Sequence, residues 1–160
     1  MVDETRLLEL LEGDARTSLA DLATMLGSSK DEVEKAIERL RKKGVIKGSR
    51  TVVDWRKVDG KKAVAVIQVQ VVPQQKYGFD RVCEDIAKDK RVSDLFITSG
   101  KYDLMVTVRA DDIDEISEFV TDKLAPMKEV TGTFTHVILK EFKRDGALFH
   151  EAKRKRLPVS

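Results

Sequence analysis

Residues 27–48 read GSSKDEVEKAIERLRKKGVIKG, and this stretch decides how the first part of the chain folds. Ser29 followed three residues later by Glu32 matches the capping box that starts a helix. Apolar side chains then recur at helical spacing and predict one narrow buried stripe, formed by Val33, Ala36, Ile37 and Leu40. Gly44 ends the helix, and the basic residues before it suit the negative end of the helix dipole. The stretch therefore predicts an amphipathic helix of the kind that DNA-binding proteins use for recognition.

A shorter apolar stripe precedes this helix, with Ser18 as its candidate N-cap. Its apolar members are Leu19, Leu22, Ala23, Met25 and Leu26. Gly27 and Ser28 supply a tight turn between the two helices, and the leucines of residues 7–11 predict a third helix. This order is typical of a helix-turn-helix unit, although a plain helical hairpin gives the same pattern.

Charge is segregated along the chain, although the net charge is only +2. Residues 1–38 carry four basic and ten acidic side chains, whereas residues 39–57 carry eight basic side chains and a single acid, Asp54. The helix dipole explains basic residues at the end of the recognition helix, but it does not explain Lys47 and Arg50 beyond it. The basic block therefore predicts contacts with phosphates.

Composition restricts the class of protein. With 160 residues, of which 41% are hydrophobic and 36% charged, two small folded domains are expected. No apolar run reaches the ~20 residues of a membrane span and no signal-peptide pattern is seen, so we expect a cytoplasmic protein without a membrane partner. One cysteine, Cys83, excludes an internal disulfide framework, two histidines argue against a zinc site, and no cofactor is predicted.

The second half of the chain alternates strand and helix patterns. Strands are predicted at residues 63–72, 92–98, 104–108 and 130–142. Helices are predicted between the first two strands and before the last one, which gives the order βαββαβ of a ferredoxin-like domain. On the first strand, four side chains would face away from the helices: Val64, Val66, Gln68 and Gln70. One chain cannot cover this half-apolar face, so we expect two sheets to pack face to face in a homodimer.

The fold class predicted is α+β, with a winged helix-turn-helix domain before the ferredoxin-like domain. The predicted segments are a winged helix-turn-helix domain at 1–50, a linker strand at 51–62, the ferredoxin-like domain at 63–144 and a basic tail at 145–160. Short extended runs on both sides of Gly48 predict a short extended segment or a hairpin after the recognition helix. The basic tail predicts nonspecific contacts with phosphates, with a frayed tail as the alternative, and Leu148, Phe149 and Leu157 suggest partial docking.

The chain resembles the Lrp/AsnC (leucine-responsive and asparagine-regulated) transcriptional regulators. The resemblance rests on DARTSLADLA at 14–23, the apolar stripe of the recognition helix followed by KGVIKG at 43–48, and SGKYD at 99–103. It implies a winged helix-turn-helix domain that binds double-stranded DNA and a ferredoxin-like domain that senses a small molecule, typically an amino acid. It also implies homodimers that often assemble into octamers.

The resemblance also implies two sets of site residues. The residues expected near DNA are Ser28, Ser29, Lys30, Lys35, Arg39, Lys47 and Arg50. The residues expected around the effector are Ser99, Gly100, Tyr102, Asp103, Thr133 and Thr135. The chain departs from many relatives at Lys35-Ala36, where they have two basic residues, and its recognition helix begins with three acids, which oppose phosphates. We interpret His136 as an interface residue, with a place in the effector pocket as the alternative.

Two chemical interpretations of the 99–103 loop stay open. Asp103 could bind an α-amino group while the glycine turn offers backbone N–H groups to an α-carboxylate. Alternatively, Gly100 only permits a tight turn and Asp103 satisfies the backbone of that turn.

Two other functions compete with gene regulation. Some relatives are sirohaem decarboxylases, but their paired arginines and Trp-Phe-Thr-like segment are replaced here by Lys47-Gly48 and residues 105–107, MVT. No acid, base and nucleophile cluster together, so we expect no enzyme activity. The remaining alternative is a metabolite-sensing or protein-interaction module with weak or no DNA binding.

Overall fold

The computed structural model describes residues 2–58, 62–73 and 78–150, and the chain forms two compact units, Met1–Thr51 and Val52–Ser160. The first unit contains helices α1 (Glu4–Gly13), α2 (Leu19–Leu26) and α3 (Lys30–Lys42). Every helix in the described ranges is too short or too polar to cross a bilayer.

Side-chain caps start all three helices as the sequence predicts for α2 and α3. Asp3 accepts the Arg6 N–H and Ser18 accepts the Asp21 N–H. At α3, Ser29 and Glu32 form a complete capping box. The predicted N-terminal signals of α2 and α3 are therefore confirmed.

The three helices pack around one small core. Its most buried members are Leu7, Leu22, Val33, Ala36 and Leu40. Gly27 adopts the left-handed conformation (φ 60°) between α2 and α3, which a side chain would disfavour. Met25 departs from the predicted stripe, because its side chain is 62% exposed.

The predicted hairpin after α3 is absent from the described part of the chain. Gly44 (φ 68°) closes α3 instead: its N–H reaches Arg41 O, and the Val45 N–H reaches Leu40 O, as in a Schellman motif. Ile46 packs against the helical core. The apolar runs 45–46 and 52–53 are each two residues long, which is too short to hold a two-stranded ribbon by themselves. Ile46 is instead fixed by its contact with the helical core.

The predicted linker strand is also absent from residues 51–58. A single 3₁₀ turn, Trp55–Lys57, forms there, and the Asp54 side chain caps it by accepting the Arg56 N–H. The turn follows from this local cap, which competes with strand pairing.

The second unit is built on a four-stranded antiparallel sheet. Its strands are β1 (Ala63–Val71), β2 (Val92–Ile97), β3 (Leu104–Ala110) and β4 (Val130–Val137), in the order β2-β3-β1-β4. Helix α4 (Asp80–Ala87) joins β1 to β2, and α5 (Ile113–Glu118), continued by a π-helical segment Phe119–Leu124, joins β3 to β4. This is the predicted ferredoxin-like arrangement.

Side chains alternate across β1. Ala65, Ile67 and Val69 are fully buried beneath the helices, whereas Gln68 and Gln70 point to the opposite, outer face. The helix side of the core is completed by Ile86, Val106, Ile116, Phe119 and Leu124. Cys83 packs half-buried against this core, as predicted, and burial raises the pKa of its thiol.

The C-terminal end differs most from the sequence prediction. Strand β4 ends at Val137, and a small hairpin of β5 (Lys143–Arg144) and β6 (Ala147–Leu148) follows. Asp145 and Gly146 both have positive φ (47° and 79°), as a two-residue type I′ turn requires. The boundary predicted at residue 144 therefore falls inside a hairpin, and the rest of the predicted tail, residues 151–160, lies outside the described residues.

Candidate DNA-binding and effector sites

Helix α3 turns a charged face outward. Its buried residues are Val33, Ala36 and Leu40, and a period of 3.6 residues places four exposed side chains opposite them: Asp31, Lys35, Glu38 and Lys42. Lys35 is thus on the outward face, where a major groove could meet it. The face alternates acidic and basic groups, so it offers both hydrogen-bond acceptors and donors.

The predicted contacts at the start of α3 have structural roles of their own. Ser29 Oγ accepts the Glu32 N–H at 3.2 Å, and Ser28 Oγ donates to Leu26 O at 3.4 Å. Glu32 in turn accepts the Ser29 backbone N–H, which lowers the pKa of the Glu32 carboxyl. A charged carboxylate therefore lies beside exposed Lys30 in the first turn and opposes phosphate binding there.

Arg39 is bound to another helix. Its Nε and Nη2 donate to Glu4 Oε1 of α1 at 2.8 and 2.5 Å, and the two side chains are 48% and 35% exposed. Lys47 and Arg50 lie exposed after α3. The Lys47 side chain folds back over the C-terminal end of α3. Its Nζ lies so close to Gly44 that the Cβ of any other residue there would be 3.3 Å from it.

The 99–103 loop joins β2 to β3, and its last residue, Asp103, hydrogen-bonds to the neighbouring strand β1. Asp103 Oδ2 accepts the Val71 N–H at 2.8 Å, and the Asp103 N–H donates to Val69 O at 3.1 Å. Thr98 Oγ1 donates to Tyr102 O at 2.9 Å. The Asp103 carboxylate therefore extends the hydrogen bonding of β1, and it satisfies an N–H of that strand instead of the backbone of its own turn.

The same loop contains exposed Ser99 and exposed Gly100. Gly100 has a φ of 132°, which a residue with a side chain rarely adopts. The turn therefore needs this glycine whether or not a ligand binds.

The two threonines of the predicted effector site lie across the sheet from that loop. Thr133 pairs with Val69 and Thr135 with Ile67, so both are on the helix side of β4, where both are exposed. Strand β1 separates β4 from β3, a span of about 10 Å for two strand spacings. Within one chain the threonines and Asp103 therefore lie about two strand spacings apart.

A cavity of about 620 Å³ lies beside the linker turn of the second unit. Its walls include Trp55, Val64, Arg109, Ile138 and Glu141. Glu141 accepts two hydrogen bonds from Arg144, at 2.7 and 2.6 Å, and lies 3.6 Å from Arg109 Nη1. Sequence reasoning missed this cavity because its walls come from segments far apart in the chain.

Phe149 anchors the C-terminal hairpin to the linker turn. It is 7% exposed, with the Arg144 guanidinium 4.6 Å and the Arg56 guanidinium 5.8 Å from its ring centroid. Arg56 Nη2 donates to Phe149 O at 2.7 Å and Arg144 Nη2 to Val53 O at 2.9 Å. Arg56 also lowers the pKa of the Asp54 carboxyl through their hydrogen bond. We call Arg56, Arg144 and Phe149 the Phe149 clamp.

The outer face of the sheet carries exposed aromatic side chains. Phe96 on β2 and Phe134 on β4 are 54% and 52% exposed. His136 lies next to Phe134, with ring centroids 4.6 Å apart, and its Nε2 is 3.4 Å from Gln68 Oε1. This position on the outer face fits the interpretation of His136 as an interface residue and not as a neighbour of the 99–103 loop.

Comparison with known proteins identifies both units. Residues 3–47 match the winged helix-turn-helix DNA-binding family, and residues 64–148 match the Lrp/AsnC ligand binding domain. The chain belongs to the Lrp/AsnC family. It is 40% identical to the HTH-type transcriptional regulator YugG of Bacillus subtilis over 159 residues, covering 98% of this chain and 96% of YugG.

Two solved structures share the fold of this chain. MtbAldR superposes with a TM-score of 0.74 at 27% identity, covering 88% of this chain and 95% of that one. The transcriptional regulator NMB0573 of Neisseria meningitidis, solved as an L-Met complex, has a TM-score of 0.67 at 20% identity, covering 88% and 90% of the two chains.

Membership of the Lrp/AsnC family supports gene regulation among the classes of function considered above. The chain is a DNA-binding transcriptional regulator with a ligand-binding domain, and YugG and the LrpA protein of Pyrococcus abyssi are both named as HTH-type transcriptional regulators. Among the described residues, no three His, Cys, Asp or Glu side chains group as a metal ion would need.

Proposed function

We propose that this Lrp/AsnC regulator reads the sequence of double-stranded DNA with the outward face of α3, as a homodimer. The observation that carries the proposal is the alternation of exposed Asp31, Lys35, Glu38 and Lys42 along that face. Lysine donates to guanine and a carboxylate accepts from the cytosine amino group, so the face suits base edges as well as phosphates. The proposal places the protein in the cytoplasm, with the DNA.

A mobility-shift titration tests this proposal. The probe is the duplex upstream of the protein's own gene, compared with a shuffled duplex of equal length at several salt concentrations. We expect tighter binding to the upstream duplex, and we expect Lys35→Ala to reduce that preference. Lys90→Ala, an exposed lysine of the second unit, is the matched control and should leave binding unchanged.

We also propose that a small molecule, most simply an amino acid, binds the second unit. The matched ligand-binding domain and the L-Met complex of the Neisseria regulator support this class of effector. Asp103 uses Oδ2 for the Val71 N–H, so Oδ1 is left for an α-amino group. Because Thr133 lies about 10 Å away across β1, the proposed site is completed by a second chain, as in a dimer or octamer.

The effector proposal is tested by a thermal-shift screen of the protein amino acids, followed by DNA titrations with and without each hit. A ligand can switch DNA binding only through different affinities for the free and DNA-bound states, so its effect on the dissociation constant is the decisive readout.

The acids of α3 favour one alternative function, a sensing module that does not bind DNA. A folded dimer that binds an amino acid but no duplex at low salt would support that alternative and contradict the regulator mechanism proposed here.

A further inference from the structure

One predicted DNA contact is already occupied by a carboxylate from the same unit. Glu4, in the first turn of α1, accepts hydrogen bonds from Nε and Nη2 of Arg39 with a single oxygen, Oε1. The pair joins residues 35 positions apart in sequence, and both side chains remain partly exposed. Arg39 is therefore held against α1 instead of extending freely from α3.

The position of Arg39 on α3 decides which part of a duplex it would meet. The outward face is centred on Lys35 and Glu38, and Arg39 flanks that centre on the side of α1. Residues at the flank of a helix in the major groove face the phosphate walls, whereas those at its centre face base edges. Arg39 is thus placed for a phosphate contact.

The carboxylate weakens such a contact in two ways. It occupies two of the five guanidinium donors, and its negative charge neutralises the arginine. A neutral pair releases few counterions from DNA, because counterion release depends on the positive charge delivered to the phosphates.

We propose that Glu4 is a positioning residue that acts through Arg39 to lower the affinity of this protein for DNA and the salt dependence of that affinity. The inference rests on the proposed function, because it assumes that α3 enters the major groove. It adds to that function a residue of α1 that sets binding strength without touching the duplex.

Helix α1 offers a matched control. Glu9 accepts a hydrogen bond from Arg6 at 2.8 Å, but this pair lies within α1, and its side chains are 57% and 59% exposed. Replacing either Glu4 or Glu9 by Gln removes one negative charge from the same helix. Only the Glu4 substitution releases a residue of α3.

The experiment compares the full chain with its Glu4→Gln and Glu9→Gln variants, using the upstream duplex and the shuffled duplex. If Arg39 gains one phosphate contact, the loss of affinity between about 50 and about 200 mM salt should be about three- to fourfold larger in Glu4→Gln than in Glu9→Gln. Both duplexes should show this change, because phosphates carry no sequence information.

A double substitution shows whether the effect passes through the arginine. In a background of Arg39→Gln, Glu4→Gln should change affinity no more than Glu9→Gln does. Thermal unfolding of each variant serves as a measure of folding, since a purely structural pair would change Tm but not the salt slope.

The outcomes separate this inference from the proposed function. Equal salt slopes for the two glutamate variants, or weaker binding by Glu4→Gln, would contradict the inference while leaving the regulator function intact. Failure of the unsubstituted protein to bind any duplex would contradict both.

Discussion

At the scale of single residues, Ser29 shows what a short pattern can predict. Its hydroxyl and the Glu32 carboxylate form the capping box that their spacing indicates, because both partners lie within one helical turn and need no distant residue. The Glu4 contact of Arg39 could not be predicted in this way. It depends on how α1 packs beside α3, and no local signal specifies that packing.

We expect Ser29→Ala to lower the free energy of unfolding by about 1 kcal/mol, because the helix loses its side-chain acceptor for a first-turn N–H. Urea unfolding of the full chain measures the change. Ser28→Ala is the control: Ser28 Oγ makes one long hydrogen bond, 3.4 Å to Leu26 O, so a smaller loss is expected. An equal loss in the two variants would argue against the cap as the cause.

Asp89 should give stability a defined pH dependence. Its carboxylate accepts hydrogen bonds from the Arg91 guanidinium (Nη2–Oδ2 2.8 Å) and from the Arg91 backbone, and the guanidinium lowers the pKa of the Asp89 carboxyl. A carboxyl whose pKa falls on folding stabilises the fold above its ordinary pKa of about 4, and this contribution is lost as pH falls through the folded pKa.

Asp89→Asn should therefore lower the free energy of unfolding by about 1–2 kcal/mol near neutral pH. The difference from the unsubstituted protein should shrink as the pH falls below about 4. Urea unfolding at several pH values measures this dependence. The matched control is Asp114→Asn, because Asp114 is exposed in the first turn of α5. A difference that stayed constant down to pH 3 or so would disprove the linkage.

At the scale of secondary-structure elements, periodicity predicts the four sheet strands and fails for the shortest pieces. The hairpin at Asp145 and Gly146 contains a strong turn signal, yet each of its strands has only two residues, too few to alternate recognisably. The hairpin is stable because Phe149 packs between two arginines, and one of them, Arg56, lies 93 residues earlier in the chain.

We expect Phe149→Ala to lower the free energy of unfolding of the second unit by about 3 kcal/mol, because a buried ring leaves a cavity and both guanidinium contacts are lost. Leu148→Ala changes the adjacent residue, which is 77% exposed, and should cost no more than about 0.5 kcal/mol. Chemical denaturation followed by Trp55 fluorescence measures both variants. A similar loss of unfolding free energy in the two variants would show that the Phe149 clamp does not stabilise the second unit.

At the scale of the whole molecule, the domain order and the family could be predicted because each domain has local motifs of fixed spacing. The effector residues stay a prediction. The 99–103 loop and Thr133 are on opposite sides of β1, and their spacing in the sequence does not show how one pocket would unite them. The outer face of the sheet, with exposed Phe96 and Phe134, is a separate surface on which a second chain could pack.

We expect Phe134→Glu to weaken dimerisation at least about a hundredfold, because two unpaired carboxylates would be buried where two outer faces meet. Sedimentation equilibrium measures the dissociation constant. Ile113→Glu introduces the same charge at a residue of α5 that is 56% exposed, away from the outer face, and should leave the dimer intact. A Phe134→Glu protein that dimerises normally would place the interface elsewhere.

The Phe149 clamp brings the beginning of the second unit next to the C-terminal hairpin, since Val53 and Arg56 contact Arg144 and Phe149. Excision of this unit for separate study should therefore begin at Val52 and not at the first sheet strand. A fragment that starts at Ala63 would lack Val53 and Arg56. The Phe149 ring would then be more exposed to solvent, which favours aggregation.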